Sequence, residues 1–331
     1  MDWQLEGYED LELSTQVVIR EALRRGLEVE VLDRSENFIR LKKGSHVEYI
    51  KEGSKTAHDT YISYLIMENK AITKLILEGN AIRVPRGETY EDPEKAHEAY
   101  IDFKHQKIVI KPKKTNFGVG ITFLESETIE TVYQSAIDKA FNHDQSILIE
   151  EFIEGLEFRF LVIGDRVLGV IHRVPANVVG DGRLSIEQLV GKKNLHSFRG
   201  EDYRSPLKKI KLGEAEAKIL ADQGLNFESI LAKDQRVFLR HNSNTSTGGE
   251  TLDYTSIIHK GYKEIATRAA QSVNAKICGI DMIIEDVHCA PTEENYAVIE
   301  LNYNPNISIH NFPYKGENRD VGKALLDFLG F

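Results

Sequence analysis

Two apolar runs near the C-terminal end, Cys278 to Ile284 and Ile299 to Pro305, each deliver an oxygen-bearing side chain to a fixed place: Asp281 from the first, Glu300 and Asn302 from the second. If these runs are neighbouring strands, the three side chains converge as an all-oxygen cluster. That ligand set suits Mg²⁺ carrying phosphates rather than zinc or iron. An inward-pointing carboxylate needs a partner or a metal, because unpaired burial is strongly unfavourable. His288 and Cys289, in the polar insertion between the runs, have no second ligand pair at zinc-site spacing.

A second group of residues could grip phosphate. Lys107 to Lys111 reads as a strand ending in lysine, followed by Pro112 and a loop through Thr115, Asn116, Gly118 and Gly120. Glycines let backbone N–H groups approach phosphate oxygens, and Lys111 supplies charge to the same anion. The segment is neither a Walker A loop nor a dinucleotide fingerprint, and a glycine-containing turn with a solvated basic face remains open. Next along the chain, Glu150 and Glu151 close an apolar strand, and acceptors there could bind adenine and ribose; an edge strand with solvated carboxylates is the alternative. Asn242 to Gly249, after the strand-like Arg236 to Arg240, collects amides, hydroxyls and a glycine pair, enough to hold a phosphate or a developing oxyanion, or to form a plain polar turn. Arg159, Arg173 and Arg240 are candidates for anion contact or for ordinary ion pairs. No Gly-x-Ser-x-Gly elbow occurs, so covalent hydrolase chemistry has no support.

These residues need elements to position them. A chain of 331 residues exceeds what one core serves well, and lobes sharing a cleft are expected: a first to about residue 66, a second over 67–153 and a third over 154–331. Within them, Ser14-Thr15 is placed to cap a helix that Gly26 ends. Leu27 to Val31, Phe38 to Leu41 and Val47 to Ile50 alternate as strands, Lys70 to Leu77 as a helix, Ile82 to Val84 as a short strand, and residues 92–103 as a helix. Phe158 to Ile163 turns at Gly164-Asp165 and returns through Val167 to Val174 as a hairpin. Helices are expected at 128–141, 213–223, 257–273 and 321–328. The fold class is α+β, with antiparallel strands dominating the third region. A net charge of −10 argues against broad nucleic-acid or anionic-membrane binding. The acidic N-terminus and the absence of any apolar run near ~18 residues point to a cytoplasmic protein. The two cysteines read as reduced thiols.

Taken in order, the motifs resemble those of the ATP-grasp ligases, and over nearly the whole chain the ligase domain at the C-terminal end of bifunctional glutamate–cysteine ligase/glutathione synthetases. Gly7 to Gln16, Met67 to Lys70 and Ser246 to Gly249 carry the likeness. The resemblance implies an ATP-grasp fold whose lobes clamp ATP, with Lys70 and Lys111 on its phosphates and Thr115 to Gly120 as a lid. It puts Glu150, Glu151 and the backbone at Phe152 and Ile153 near adenine, and Glu157 on the ribose. It assigns two Mg²⁺ ions, or Mn²⁺, to Asp281, Glu300 and Asn302. It turns Arg240, Ser246, Thr247 and Gly248 toward an acyl phosphate, and Arg173, as a catalytic residue, with Asn177 and Arg159 toward a carboxylate substrate. It implies glutathione synthetase activity on peptide and amino-acid substrates, a glutamate–cysteine ligase domain as partner in a parent chain, and a homodimer as a possible state. Cyanophycin synthetase shares similar segments, so another peptide and amine pair, or a non-catalytic ATP-binding module, stands as the alternative.

Overall fold

The computed structural model describes residues 3–113, 120–240 and 242–331. Helix α1 (Leu13–Arg24) buries Val17, Val18, Ile19 and Ala22, the stripe its periodicity requires. Glu12, not Ser14 or Thr15, occupies the position before it and makes no side-chain cap. Ser14 sits inside the first turn and donates its hydroxyl to Asn306 Oδ1 at 3.1 Å, so it ties the helix to the far end of the chain instead of capping it. Strands β1 (Glu28–Asp33), β2 (Phe38–Lys43) and β3 (His46–Lys51) follow as an antiparallel sheet. Its inward Ile39, Leu41 and Ile50 share one core with α1 and with Leu161, Ile163, Ile277, Leu325 and Leu326 from distant segments.

Two helices lead out of this unit. Thr60 caps α2 (Tyr61–Glu68) and Asn69 caps α3 (Lys70–Gly79) through side-chain oxygens. The expected strand at Ile82 to Val84 is not one. This stretch gives a single ladder-like bond, from Val298 N–H to Arg83 O at 2.9 Å, before Pro85 removes a donor. The strand instead is β4 (Gly87–Tyr90). After the short helices α4 (Pro93–Glu98) and α5 (Tyr100–Phe103) come β5 (Ile108–Pro112), β6 (Thr122–Leu124), α6 (Glu130–Phe141) and β7 (Ile147–Glu151). These four strands pair antiparallel in the order β4-β7-β5-β6. Tyr133, Ile137 and Ala140 of α6 pack on Ile108, Ile110, Ile147 and Ile149.

The remaining chain builds the larger sheet. The expected hairpin forms as β8 (Leu156–Ile163) and β9 (Arg166–Val174), turning at Gly164 with φ +64°. A side unit follows: β10 (Asn177–Val179), α7 (Ile186–Asn194), β11 (Arg199–Gly200), β12 (Leu207–Lys208), α8 (Glu214–Asp222) and β13 (Arg236–Phe238). Then come β14 (Glu250–Asp253), α9 (Lys260–Ser272), β15 (Ile277–Ile284), β16 (Tyr296–Asn302), α10 (Ser308–Asn311) and α11 (Val321–Phe328). The five long-range partners order as β14-β9-β8-β15-β16, all antiparallel. Alternation splits this sheet into two faces. Phe158, Phe160, Cys278, Ile280 and Met282 pack under α9, which leaves Arg159 and Asp281, one residue out of phase, on the other face.

His172 is buried on the α9 face against Phe158 and Tyr254. Burial pushes its pKa down to about 4, and its Nδ1 lies 3.0 Å from the Glu157 carbonyl oxygen, so the ring is neutral and donates there. The unfolded chain, with an ordinary histidine near about 6.5, binds the proton first. The stability due to this residue is therefore complete above that value and is lost as pH falls toward 4. Buried His310, pushed down to about 3, adds to the same acid limb. His172→Gln is expected to remove about 2 kcal/mol from the stability difference between pH 7 and pH 5. Urea unfolding at the two pH values measures it, and an unchanged difference would contradict this assignment.

Candidate functional site

Between the two large sheets, α3 brings Lys70 and Lys74 over a narrow cleft whose apolar walls are Met67, Leu77, Val84, Leu148, Val298 and Leu301. Lys111 and Glu150 reach it from neighbouring strands, β5 and β7, and Glu300 from β16. The walls suit an aromatic base and the lysines suit phosphates.

Glu150 is 4 % exposed and lies between two cations. Lys74 Nζ donates to its Oε1 at 3.1 Å, and Lys111 Nζ contacts Oε2. Burial alone would raise this carboxyl; the two lysines reverse that and hold it below its ordinary value. Both oxygens expected to face adenine are thus spent on lysines, and a polyphosphate entering the cleft meets a site already arranged for negative charge. Lys74 escaped the sequence reading, although its position four residues after Lys70 puts both on one helix face. Glu151 accepts from Arg83 Nη1 at 2.7 Å and from the Arg86 N–H at 2.6 Å. The Phe152 N–H donates to Lys107 O at 2.8 Å, and Ile153 is half-buried. Gly120 has φ +77°, and a Cβ there would stand 2.6 Å from Pro112, so this position ahead of β6 favours glycine. Thr115, Asn116 and Gly118 lie outside the described residues.

The carboxylate and amide trio comes together as its spacing predicts. In the β15–β16 ladder Asp281 stands opposite Glu300 and Gly279 opposite Asn302, with a bulge after Asp281. The Asn302 amide, oriented by its neighbours' needs, donates to Glu300 Oε1 at 3.2 Å and accepts from Arg159 Nη2 at 3.1 Å. What the sequence does not announce is the counter-charge. Arg159 forks onto both oxygens of Asp281, Nη2 to Oδ2 at 2.6 Å and Nε to Oδ1. Arg173 Nη2 adds a contact to Oδ2 at 3.1 Å. Burial would raise the Asp281 carboxyl, and Arg159 followed by Arg173 reverses this and holds it well below the usual carboxylate range.

Among the described residues no group of three or more His, Cys, Asp and Glu side chains forms a metal cage. Two carboxylates and an amide oxygen nevertheless fit a hard cation that takes its remaining ligands from phosphate and water, as Mg²⁺ does. Glu157, expected on a ribose, instead pairs with Arg173 and accepts from Ser243 Oγ at 2.5 Å.

The other candidates form a second group. Thr245–Thr247 is a single 3₁₀ turn closed by Gly248 at φ +90°. Thr247 Oγ1 donates to Asn242 Oδ1 at 2.9 Å, and Arg199 Nη1 donates to Gly248 O at 3.0 Å. Ser246 rides on this turn, and neighbouring Ser243 ties the loop to Glu157. Asn177 is buried, donating to Glu250 Oε2 at 3.3 Å and accepting from Lys193 Nζ through its carbonyl at 2.7 Å. Arg240 pairs with Glu216 of α8. Lys193, Arg199 and Glu250, which together hold Asn177 and the loop, carry no local sequence signal.

Comparison with known proteins bears on the fold. A model of an ATP-grasp-like domain matches residues 9–62, and the ATP-grasp (A) domain of phosphoribosylglycinamide synthetase matches residues 68–172. The crystal structure of a bifunctional glutathione synthetase from Pasteurella multocida superposes over 99 % of this chain with a TM-score of 0.80 at 42 % identity. The chain has the ATP-grasp fold. It is 52 % identical over 328 residues to the glutathione biosynthesis bifunctional protein GshAB of Clostridium perfringens, and 49 % identical over 331 residues to that of Listeria welshimeri. It covers 99 % of its own length in both matches but 42 % of theirs, and 45 % of the Pasteurella chain. The chain thus spans less than half the length of these ATP-grasp relatives.

Proposed function

We propose that this chain is an ATP-dependent carboxylate–amine ligase with glutathione synthetase activity, joining γ-glutamylcysteine to glycine. The observation that carries the reading is the likeness, over 99 % of this chain and 42 % of the relatives, to proteins named for glutathione biosynthesis, borne by a chain whose lysine cleft opens beside a carboxylate and amide cluster. In this reading the cysteinyl carboxylate attacks the γ-phosphorus of ATP, ADP leaves, and an acyl phosphate forms. The glycine amine then adds to the acyl carbon, loses a proton, and collapse of the tetrahedral intermediate expels phosphate.

Lys70, Lys74 and Lys111 hold the polyphosphate, with Lys74 and Lys111 exchanging Glu150 for phosphate oxygens as partners. Asp281, Glu300 and Asn302 hold Mg²⁺, which when bound supplies Lewis-acid stabilisation of phosphoryl charge. Arg173 lies beside this cluster, and Ser246, Thr247 and Gly248 form the loop next to it; these groups face the developing oxyanion. Arg159 fixes Asp281 from below. Asn177 with its Lys193–Glu250 setting, and Arg240, line the approach for the substrate. No helix among the described residues is long and apolar enough to cross a membrane; we place the enzyme in the cytoplasm, working beside a glutamate–cysteine ligase domain.

Oxygen-18 in the cysteinyl carboxylate tests the chemistry. Glutathione and phosphate should form in equal amounts, with one label in each phosphate. Unlabelled phosphate would overturn the acyl-phosphate route. Phosphate released only with another amine would keep the ligase and change its substrate.

A further inference from the structure

The two arginines on Asp281 are not equivalent. Arg159 takes both carboxylate oxygens in a fork, the strongest geometry open to the pair. Its side chain lies flat on β15, where a Cβ at Gly279 would come within 2.9 Å of Cδ and 3.0 Å of Nη1. Arg173 touches only Oδ2, through one nitrogen at 3.1 Å, and that same nitrogen already contacts Glu157. Its Nε is buried and lacks a hydrogen-bond partner among the described residues. Glu157 is held in place by Ser243 Oγ, so a second anchor for Arg173 stands ready.

Arg159 holds both oxygens of Asp281, and Oδ2 is touched by Arg173 as well; a divalent cation that takes Oδ2 as a ligand meets two guanidinium groups there. Like charges at contact distance in a poorly solvated site repel strongly, and the weaker, single-point holder yields. Resting on the metal reading proposed above, we infer that Arg173 is a placeholder cation: it bridges Glu157 and Asp281 Oδ2, and a divalent ion that binds Asp281 breaks the second contact and leaves it on Glu157 alone. The displaced guanidinium, with Nε already unpaired, becomes a donor for the anionic group that forms beside the ion. Loading of the cation and arming of the arginine are then one event, and anion binding at Arg173 follows the cation. The buried Nε donor without a partner, otherwise an unexplained penalty, is a group waiting for that anion.

Free Mn²⁺ measured by electron paramagnetic resonance in the presence of saturating ADP, with an ADP-only control, reads this without turnover. Arg173→Gln removes the competitor and should tighten Mn²⁺ binding about fivefold, because a neighbouring like charge no longer opposes the ion. Arg173→Lys should lie between it and the wild type. Glu157→Gln removes the second anchor and should weaken binding in the wild-type background, and by less when Arg173 is already Gln, which separates anchoring from simple loss of negative charge. Equal or weaker Mn²⁺ affinity in Arg173→Gln overturns the inference. If that variant does not fold, the same comparison is made with Arg173→Lys, and an unchanged affinity there overturns it. A wild-type chain with no saturable Mn²⁺ binding beyond ADP alone would overturn the metal reading as well, whereas normal binding insensitive to all three variants would overturn the placeholder alone.

Discussion

Asp281→Asn is expected to lower stability by about 3 kcal/mol and turnover on the order of a hundredfold. The two losses have different origins. Asp281 is 3 % exposed and, among the described residues, is the carboxylate on which Arg159 forks; with a neutral amide there, a buried guanidinium loses this counter-charge and meets an N–H₂ group where an acceptor stood. Turnover falls because one of the two carboxylates proposed to hold the cation is gone. Urea unfolding gives the first quantity, and initial rates at a temperature where both proteins are folded give the second. A variant of wild-type stability would show that the arginine pairing carries little weight, and one of wild-type rate would remove Asp281 from the site.

Lys111→Ala should reduce kcat/KM for ATP by roughly a hundredfold, the scale on which one preorganised donor acts on developing charge. Its effect on folding should be much smaller. Glu150 keeps Lys74 at 3.1 Å as a partner, so the buried carboxylate is not stranded. That contrast is diagnostic: a residue important only for structure would lose stability in proportion to activity, whereas Lys111 should lose activity first. Steady-state kinetics with ATP varied, beside a thermal melt, distinguishes the two, and an unchanged kcat/KM would take Lys111 out of the phosphate site.

Much of the scaffold could be read along the chain because its signals are local. The β8–β9 hairpin declares itself by alternation around Gly164-Asp165, and α11 by the spacing of Leu325, Leu326 and Phe328. Asp281, Glu300 and Asn302 were legible as a trio because two apolar runs flank one polar insertion, which almost forces antiparallel pairing. What could not be read is what these groups touch. Arg159 and Arg173 reach Asp281 from strands more than a hundred residues earlier, and no spacing rule connects them. The same holds for Glu150, whose partners sit on another helix and another strand, and for Arg240, which Glu216 claims. Ile82 to Val84 misled for the opposite reason. Its apolar pattern is real and Val84 is buried, but burial against β16 through one backbone bond does not make a strand. Ser14 and Thr15 have the composition of a cap, yet a tertiary partner, Asn306, outbid the local backbone for Ser14.

The most direct test of the account is ATP-dependent phosphate release by the purified chain with Mg²⁺, adding γ-glutamylcysteine and glycine separately and together, with the product weighed by mass spectrometry. The expected result is phosphate and glutathione in equal amounts only when both are present. Phosphate release that ignores both compounds, or tight ATP binding without turnover against a panel of peptides and amines, would contradict the assignment of this site as a glutathione-forming ligase.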